Sequence, residues 1–526
     1  MSLVSFSFLL FILATAIVYF AVPVKYRWSV LLVMSLVFYW ISSRLMILVM
    51  AGSAAVTYGI ARWIHAVNTD GKQYLKEHGK DLTKEEKKAL KVQTKKKARR
   101  ILQLGIVLDL GVLLVLKYGN FFGGLARPVL DLPVLHFLLP IGISFYTLQA
   151  IAYMTDVYRG KIGPDRNFLK FLLFMSYFPQ IIQGPIPRYS QLAAQLYEGH
   201  GYDYTRVTRG AQLMLWGYMK KIMIADRIAV PVAQIFDNYT AYPGPLLLFA
   251  GALYGLQVYT DFSGGMDIAR GFSQMIGIEL ELNFNQPYFS RSVEEFWRRW
   301  HITLGGWMRD YVFYPLSLSG PFTELGKKAR KWFGTSFGKK LPAFISMFIV
   351  YLLVGFWHGP EWKYVGYGIW NGMFIMTGIM FAELYEKAHQ VTHIPAEHPA
   401  WKAFQMLRTF LICSMGRYFS RGGSFRAAVG MLAGTFRGWG SPASLRSGMP
   451  ADLGLKGAEW VLIGAAVLVL FAVGFLHEKQ VGIRERIAAR PVVIRWIIYL
   501  AAVFCVMIFG LYGPSDNASA FIYGQF

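Results

Sequence analysis

Two histidines lie inside apolar, tryptophan-rich sequence: His301 in FWRRWHITLGG and His358 in VGFWHGPEW. A neutral imidazole can take a proton from a hydroxyl group as a general base, and base catalysis of hydroxyl acylation needs such a group. An ionisable side chain at bilayer depth is costly unless it is paired, faces a cavity or carries out chemistry. The two histidines are therefore the candidate catalytic residues of this sequence.

The segment around His301 predicts a helix that begins near Ser292. Ser292 and Glu295 have the three-residue spacing of a capping box. A continuous helix would carry one apolar face that consists of Trp297, Trp300, His301, Leu304 and Met308. A structural interpretation stays open, in which the imidazole packs among the tryptophans and bonds to a backbone carbonyl.

His358 stands where a helix is expected to end. Trp357 precedes it, and Gly359 and Pro360 follow it, which would stop the helix and leave carbonyl groups near the imidazole. A general base and a structural histidine are equally compatible with this position. No Cys, His or carboxylate lies at a ligand-like spacing from either histidine, so no metal site is predicted.

Long apolar runs must position these residues. The chain has 526 residues, of which 55% are hydrophobic, and its mean hydropathy is +0.38. Several runs approach the roughly 20 residues that cross a bilayer core of about 30 Å. They cover 3–22, 29–43, 45–64, 101–118, 135–155, 243–260, 341–358, 362–383, 458–476 and 493–513.

Other apolar stretches are interrupted by Pro, Gly, Arg or Lys, which favours broken or re-entrant helices buried in protein. These stretches are 168–183, 207–228, 294–315 and 404–419. Together the runs predict an all-α polytopic membrane protein with about eleven to fourteen membrane-embedded helices. Just after the run 243–260, Asp261 and Asp267 lie six residues apart in apolar sequence, and Asp267 lies three residues before Arg270. This pattern predicts a structural ion pair rather than catalytic carboxylates.

The net charge of +24 does not indicate a nucleic-acid partner, because the basic residues are concentrated between apolar runs. Residues 72–100 contain twelve basic and four acidic residues, and 327–340 form a second basic segment. The positive-inside rule places both segments on the cytoplasmic side, next to anionic lipid. We expect 72–100 to be a solvated amphipathic helix and 327–340 to be a loop.

Five segments of the chain carry recognisable motifs. They are SFYTLQAIAYMTDVYRG (144–160), FPQIIQGPIPRYSQL (178–192), YTDFSGGMDIARG (259–271), NFNQPYFSRSVEEFWRRWHITLGGWMRDYVFYPL (283–316) and GFWHGPEWKYVGYGIWNGMF (355–374). These segments resemble the membrane-bound O-acyltransferases, and most closely their bacterial branch of alginate O-acetylation proteins. A sixth segment, RTFLICSMGRYFSRGGSFRAAVGML (408–432), is similar, but residues 416–421 read GRYFSR where that branch usually has GWVFFR.

The resemblance implies a helical ring with a central funnel or tunnel. The expected organisation is one integral membrane domain over 1–526. It has N-terminal helices in 1–65, a basic cytoplasmic segment in 66–100, a core with both histidines in 101–440 and C-terminal helices in 441–526. The expected location is the bacterial plasma membrane, with the chain crossing it many times.

The resemblance also implies that His358 is the catalytic residue and that His301 is the second signature residue, which orients the donor carbonyl or the acceptor. Substrate-binding candidates near them are Asn285, Gln286, Arg298, Trp357 and Asn371. No bound cofactor is expected. The implied donor is acetyl-CoA or another acyl thioester, from a cytoplasmic pool, and the implied acceptor is a cell-surface polysaccharide.

The implied partners are membrane lipid, an extracytoplasmic acetyltransferase that receives the acetyl group, and an acidic carrier protein that docks on 72–100. Two other activities stay open. A sister branch of the family passes D-alanine from a carrier protein towards teichoic acid. A transporter or channel with a histidine proton relay is an alternative of another class, although no internal repeat supports it.

Overall fold

A computed structural model of the chain describes residues 1–127, 129, 133–134, 137–439 and 453–512. Within these residues the regular secondary structure is helical, apart from one isolated bridge between Phe284 and Trp300. The chain forms two compact units, and each is discontinuous in sequence. The first unit is Met1–Gly210 with Ala269–Glu281, and the second is Ala211–Ile268 with the described part of Leu282–Phe526. The expected single domain over 1–526 stays a prediction.

The first unit is built around one helix that is buried on all sides. Its helices are α1 (Phe6–Ala21), α2 (Arg27–Ser43), α3 (Ile47–Glu77), α4 (Lys84–Leu113), α5 (Gly119–Ala126), α6 (Ile143–Tyr158), α7 (Phe168–Ser176), α8 (Phe178–Gln183) and α9 (Tyr189–Glu198). Every residue of α6 from Ile143 to Val157 is buried. The predicted apolar run 135–155 begins at residues 135–136, which lie outside the described part of the chain.

The second unit contains both histidines. Helix α10 (Tyr204–Tyr218) leads into it from the first unit, through a π-helical segment Met219–Ala225. Its helices are α11 (Asp226–Asp237), α12 (Gly244–Met275, of which the last turns belong to the first unit), α13 (Val293–Arg299), α14 (Ile302–Met308), α15 (Tyr314–Ser317), α16 (Gly320–His358), α17 (Trp362–Met380), α18 (Ala382–Thr392), α19 (Pro399–Gly416), α20 (Tyr418–Arg421), α21 (Phe425–Gly434), α22 (Gly457–Glu478), α23 (Ile483–Ala488) and α24 (Val492–Phe509). Of the predicted C-terminal segment 441–526, residues 441–452 and 513–526 lie outside the described residues.

Helix length and composition confirm an all-α polytopic membrane protein. Five helical ranges in the described part of the chain are long and apolar enough to cross a bilayer, and a sixth is counted if α17 and α18, which meet at a bend of 61°, form one span. The five ranges are Val24–Glu77, which holds both α2 and α3, and Lys84–Ala126, Gly338–His358, Gly457–Glu478 and Val492–Phe509. Three shorter apolar helices are added to these. The count of eleven to fourteen embedded helices included the short and broken ones, and it stays a prediction.

The basic segments are helical, which corrects two expectations. Residues 72–100 do not form one separate helix, since α3 runs on to Glu77 and α4 begins at Lys84. A capping box starts α4: Thr83 Oγ1 accepts a hydrogen bond from the Glu86 amide at 3.2 Å, and the Glu86 carboxylate accepts from the Thr83 amide at 2.8 Å. Residues 327–340, expected as a loop, lie within α16 around a break at Gly334.

Two adjacent lysines on the π-helical segment fix α12 inside the second unit. The Lys221 Nζ lies 2.8 Å from a carboxylate oxygen of Asp226 and 2.6 Å from one of Asp261. The Lys220 Nζ lies 2.7 Å from a carboxylate oxygen of Asp267. The prediction that Asp261 and Asp267 form structural ion pairs is confirmed, with partners that the sequence analysis did not identify. Charges buried this deeply hold only one register between two helices, because any shift would leave them unpaired.

Candidate functional site

The helix that was expected to carry His301 ends just before it. Helix α13 ends at Arg299, Trp300 is extended (φ −106°, ψ 129°), and His301 is left-handed (φ 47°, ψ 53°). A new helix, α14, begins at Ile302. The prediction of one continuous apolar face through His301 is therefore wrong. The predicted start of helix α13 at Ser292 is confirmed, since the Ser292 hydroxyl accepts a hydrogen bond from the Glu295 amide at 3.1 Å.

A short pairing of extended backbone explains the break. The Asn285 amide donates to the Arg299 carbonyl at 2.9 Å, and the Ile302 amide donates to the Asn283 carbonyl at 3.0 Å. We call this pairing of 283–285 with 299–302 the backbone clamp. A left-handed residue with a side chain costs on the order of 1–3 kcal/mol and persists only where its surroundings impose it. Such conformations cluster at functional sites, and the clamp imposes this one on His301.

The side chain of His301 is 2% exposed and is held from two directions. The Phe262 ring on α12 packs edge-to-face against the imidazole, with 5.0 Å between ring centroids. On the other side, the imidazole Nδ1 lies 3.2 Å from the Asn283 Oδ1. The same oxygen accepts hydrogen bonds from the Thr303 amide at 3.0 Å and from the Thr303 hydroxyl at 2.9 Å. Asn283 was not among the predicted site residues, although it is the first residue of the NFNQPY motif.

His358 is the last residue of α16, as its sequence neighbours predicted, and it is 6% exposed. The Gly359 amide donates to the Phe356 carbonyl at 3.2 Å and closes the turn. A Cβ atom at Gly359 would lie 2.4 Å from the Tyr364 ring, so this turn needs a glycine. The imidazole packs edge-to-face against Tyr367 on α17, with 5.6 Å between ring centroids.

Trp357 brings the two histidines to one place. Its ring centroid lies 5.8 Å from that of His301 and 5.1 Å from that of His358. Both contacts are edge-to-face. The two imidazoles, 57 positions apart in the sequence, therefore contact the same buried indole. This arrangement supports their prediction as a pair, and it gives Trp357 a direct place in the site.

A buried cation lies beside the same aromatic cluster. The Arg417 guanidinium carbon is 4.4 Å from the centroid of the Trp300 ring, and Arg417 is 3% exposed. This is a cation–π contact in a desolvated position, where such contacts are strongest. Arg417 stands where the resembling branch usually has tryptophan, so this charge is a departure of this chain from that pattern.

The other four predicted substrate-binding residues lie in different surroundings. Asn371 is buried on α17, where its Oδ1 accepts a hydrogen bond from the Trp297 Nε1 at 3.3 Å. Asn285 contributes its backbone to the clamp. The Gln286 side chain lies 3.2 Å from the Nδ1 of His477 on α22. Arg298 is exposed and lies 3.6 Å from the Glu294 carboxylate, so the structure does not bring it to the histidines.

A cavity of about 790 Å³ opens near the start of α13. The residues that line it include the apolar Phe374 and Ile375 of α17, the basic Arg291 and Arg408, and the aromatic Trp401. Phe374 follows Tyr367 by seven residues on α17, which corresponds to roughly 10 Å along the helix axis. Helix α17 therefore lines the cavity with Phe374 and contacts His358 with Tyr367.

The described residues contain no group of three or more His, Cys, Asp or Glu side chains that could hold a metal ion. Side chains around the histidines that carry nitrogen or oxygen atoms include Asn283, Thr303, Tyr367 and Trp357, besides the imidazoles themselves. The chemistry that this set can perform is proton transfer and hydrogen bonding to a substrate.

Comparison with known proteins identifies the family. The model of the membrane-bound O-acyltransferase family matches residues 161–326. A Pseudomonas aeruginosa protein named as a probable alginate O-acetylase is 32% identical over 390 residues, which cover 73% of this chain and 68% of that protein. A protein of the same name from Pseudomonas syringae is 34% identical over 347 residues, or 65% of this chain. A peptidoglycan O-acetyltransferase of Helicobacter pylori is 29% identical over 377 residues, which cover 66% of this chain and 67% of that enzyme.

The fold and the site define a polytopic helical membrane protein with two histidines buried against one tryptophan. The chain belongs to the membrane-bound O-acyltransferase family. The aligned part covers 61% of the Pseudomonas syringae relative, which is less than two thirds of that protein's length.

Proposed function

We propose that this protein is an O-acyltransferase of the bacterial plasma membrane that moves acetyl groups from a thioester donor towards the hydroxyl groups of a cell-surface polysaccharide. The observation that carries this proposal is the pair of buried imidazoles on Trp357, in a family whose similar members are named as O-acetylases and O-acetyltransferases. A buried, neutral imidazole next to an acceptor hydroxyl is what acyl transfer to oxygen requires.

In the proposed reaction, His358 acts as the general base. One of its ring nitrogens takes the hydroxyl proton while the hydroxyl oxygen forms a bond to the thioester carbonyl carbon. The carbonyl oxygen carries the negative charge of the tetrahedral intermediate. When that intermediate collapses, the carbon–sulfur bond breaks, and the imidazolium returns the proton to the thiolate. The products are an O-acetyl ester and a free thiol, so the base is regenerated in each cycle.

The cavity beside α13 supports a donor with an extended, phosphorylated thioester arm, such as acetyl-CoA. The guanidinium groups of Arg291 and Arg408 in its wall can bind phosphate oxygens, in a wall that also contains Glu294 and Glu386 and in which Arg291 lies 3.3 Å from Glu397, and Trp401 offers an aromatic face for a base. Phe374 and Ile375 lie about two turns along α17 from Tyr367, which packs on His358.

Charge distribution supports a cytoplasmic origin of the donor. Basic residues are concentrated at the C-terminal end of α3, in the first half of α4 and in the first half of α16. The positive-inside rule places these segments in the cytoplasm. An acidic carrier protein would meet complementary charge on the first half of α4, where residues 87–100 include eight basic and no acidic residues. The acetyl group would then pass to the polysaccharide directly or through an extracytoplasmic acetyltransferase.

The test is the ester-linked acetyl content of cell-envelope polysaccharide in cells that carry the wild-type protein, His358→Ala or His65→Ala at equal membrane abundance. His65 is exposed on α3 and serves as the matched control. We expect His358→Ala to lower the protein-dependent acetyl content at least a hundredfold, since general bases contribute about 10²–10⁴ in rate, and His65→Ala to leave it unchanged.

Three other outcomes would change the proposal. Acetyl content that survives in His358→Ala would refute the assignment of this histidine. A loss of ester-linked D-alanine in place of acetyl would identify the substrate as a D-alanyl group. A change in membrane proton conductance without any change in esters would identify a transporter.

A further inference from the structure

The hydrogen bonds around Asn283 determine which nitrogen of His301 carries the proton. The backbone amide of Thr303 is a donor and cannot accept, so the Asn283 side-chain atom that faces it at 3.0 Å must be the amide oxygen. The opposite assignment would set an NH₂ group against an N–H group in a buried position. The other end of the amide agrees with this, because its Nδ2 lies 3.7 Å from the Met266 sulfur, a weak acceptor.

An amide oxygen accepts hydrogen bonds and never donates them. The Nδ1 of His301, which lies 3.2 Å from this oxygen, must therefore be the protonated nitrogen. A neutral imidazole has one N–H group, so its Nε2 carries the lone pair. Asn283 and His301 are 1% and 2% exposed, so water does not compete for either group.

We propose that Asn283 is a positioning residue that holds His301 in the Nδ1–H form, so that the Nε2 of His301 accepts a hydrogen bond from the acceptor molecule and does not bind the donor carbonyl. A carbonyl oxygen has only lone pairs and would be repelled by the lone pair on Nε2. A hydroxyl group is the substrate group that can donate to it. This inference rests on the proposed acyltransferase function.

The proton count also defines the kind of acceptor. The reacting hydroxyl has one proton, which leaves with His358, so it cannot also be donated to His301. The hydrogen bond to the Nε2 of His301 must come from a second hydroxyl on the same molecule. Sugars carry hydroxyl groups on neighbouring carbons. The pair of imidazoles is therefore suited to a vicinal diol, with one hydroxyl acylated and its neighbour held by His301.

The first measurement reads the tautomer directly and does not depend on activity. Protein with ¹⁵N-labelled histidine rings, reconstituted in lipid nanodiscs, gives distinct nitrogen shifts for protonated and unprotonated ring nitrogens. The His301 signals are assigned by their loss in His301→Gln. We expect a protonated Nδ1 and an unprotonated Nε2 in the wild type, and a mixture of tautomers in Asn283→Ala. Thr303→Val, which removes another donor to the same oxygen, should leave the tautomer unchanged.

The second measurement follows transfer from [¹⁴C]acetyl-CoA to chemically deacetylated alginate by purified protein. We expect Asn283→Ala to lower kcat/KM for the polysaccharide about 10- to 100-fold, as the loss of an orienting partner typically does, and to leave the KM for acetyl-CoA within twofold. Asn283→Asp keeps an acceptor oxygen at this position and should restore most of the activity. The exposed residue variant Asn238→Ala is the matched control.

The two measurements separate the inference from the function on which it rests. A wild-type His301 that is protonated on Nε2 would overturn the role of Asn283, whatever the activity. An Asn283→Ala protein that changes the KM for acetyl-CoA and not the acceptor kinetics would assign His301 to the donor and overturn the diol. If the wild type transfers no acetyl to alginate, direct acylation of this polysaccharide and the diol inference are overturned, while the tautomer still decides the role of Asn283 and the acetyl content of the cells still decides the proposed function.

Discussion

Replacement of Lys221 by methionine should destabilise the second unit severely. The Lys221 side chain is fully buried and lies 2.8 Å from Asp226 and 2.6 Å from Asp261, which are themselves 0% and 1% exposed. Removal of the lysine leaves two buried carboxylates without this cation. Breaking a buried pair in this way typically costs about 3–5 kcal/mol. We therefore expect Lys221→Met to lower the free energy of unfolding by about that amount.

Two comparisons make this prediction specific to burial and charge. Lys327 lies 2.7 Å from Glu324, a similar distance, but both side chains are 61% exposed. Exposed pairs contribute little to stability, so Lys327→Met should unfold like the wild type. Asp261→Asn leaves Lys221 paired with Asp226, with charges of opposite sign, and should be less destabilising than Lys221→Met.

The measurement is equilibrium unfolding of purified protein in mixed micelles, with increasing SDS and tryptophan fluorescence as the signal. Loss of acetyl transfer should accompany the loss of stability, because α12 also carries Phe262, which packs on His301. Equal unfolding curves for Lys221→Met and Lys327→Met would refute the reasoning, since the two pairs differ in burial and not in length.

Two further predictions concern residues near the histidines. Arg298→Ala should change acetyl transfer less than twofold, because Arg298 is exposed and pairs with Glu294. Asn371→Leu should reduce it about tenfold, since it leaves the half-buried Trp297 N–H without its acceptor. The two variants are compared in the acetyl assay at matched abundance, and the reverse order would contradict the site as described. Trp357→Phe should keep most of the activity and Trp357→Ala should lose it, since a phenyl ring can still pack on both imidazoles and a methyl group leaves a cavity. Equal activity of the two variants, measured as kcat, would show that the shared ring has no role.

The sequence predicted those parts of the site that depend on local pattern. The start of α13 at Ser292 follows from a capping pair three residues apart, and the end of α16 at His358 follows from the glycine and proline after it. The selection of the two histidines as candidate catalytic residues followed from the cost of a polar group in an apolar segment. All of these signals lie within a few residues of the feature that they predict.

The features that the sequence analysis missed depend on contacts between distant residues. The left-handed conformation of His301 requires Asn283 and Asn285 to pair with residues 14 to 19 positions later, and helical periodicity contains no information about such pairing. Lys220 and Lys221 were recognised only as polar interruptions of the stretch 207–228, because their partners Asp267 and Asp261 lie 47 and 40 positions away. Asn283 was missed because its contact with His301 joins residues 18 positions apart.

The backbone clamp gives the two histidines different local stabilities. His301 is held by hydrogen bonds that close a segment of about twenty residues on itself, so it can be released by a local opening that leaves α16 and α17 intact. His358 is held by the end of α16 against α17, and its release requires those longer helices to separate. The amides of Asn285 and Ile302 would thus exchange with solvent hydrogen independently of the amide of Gly359. One half of the proposed catalytic pair would open on its own while the other half stays in place.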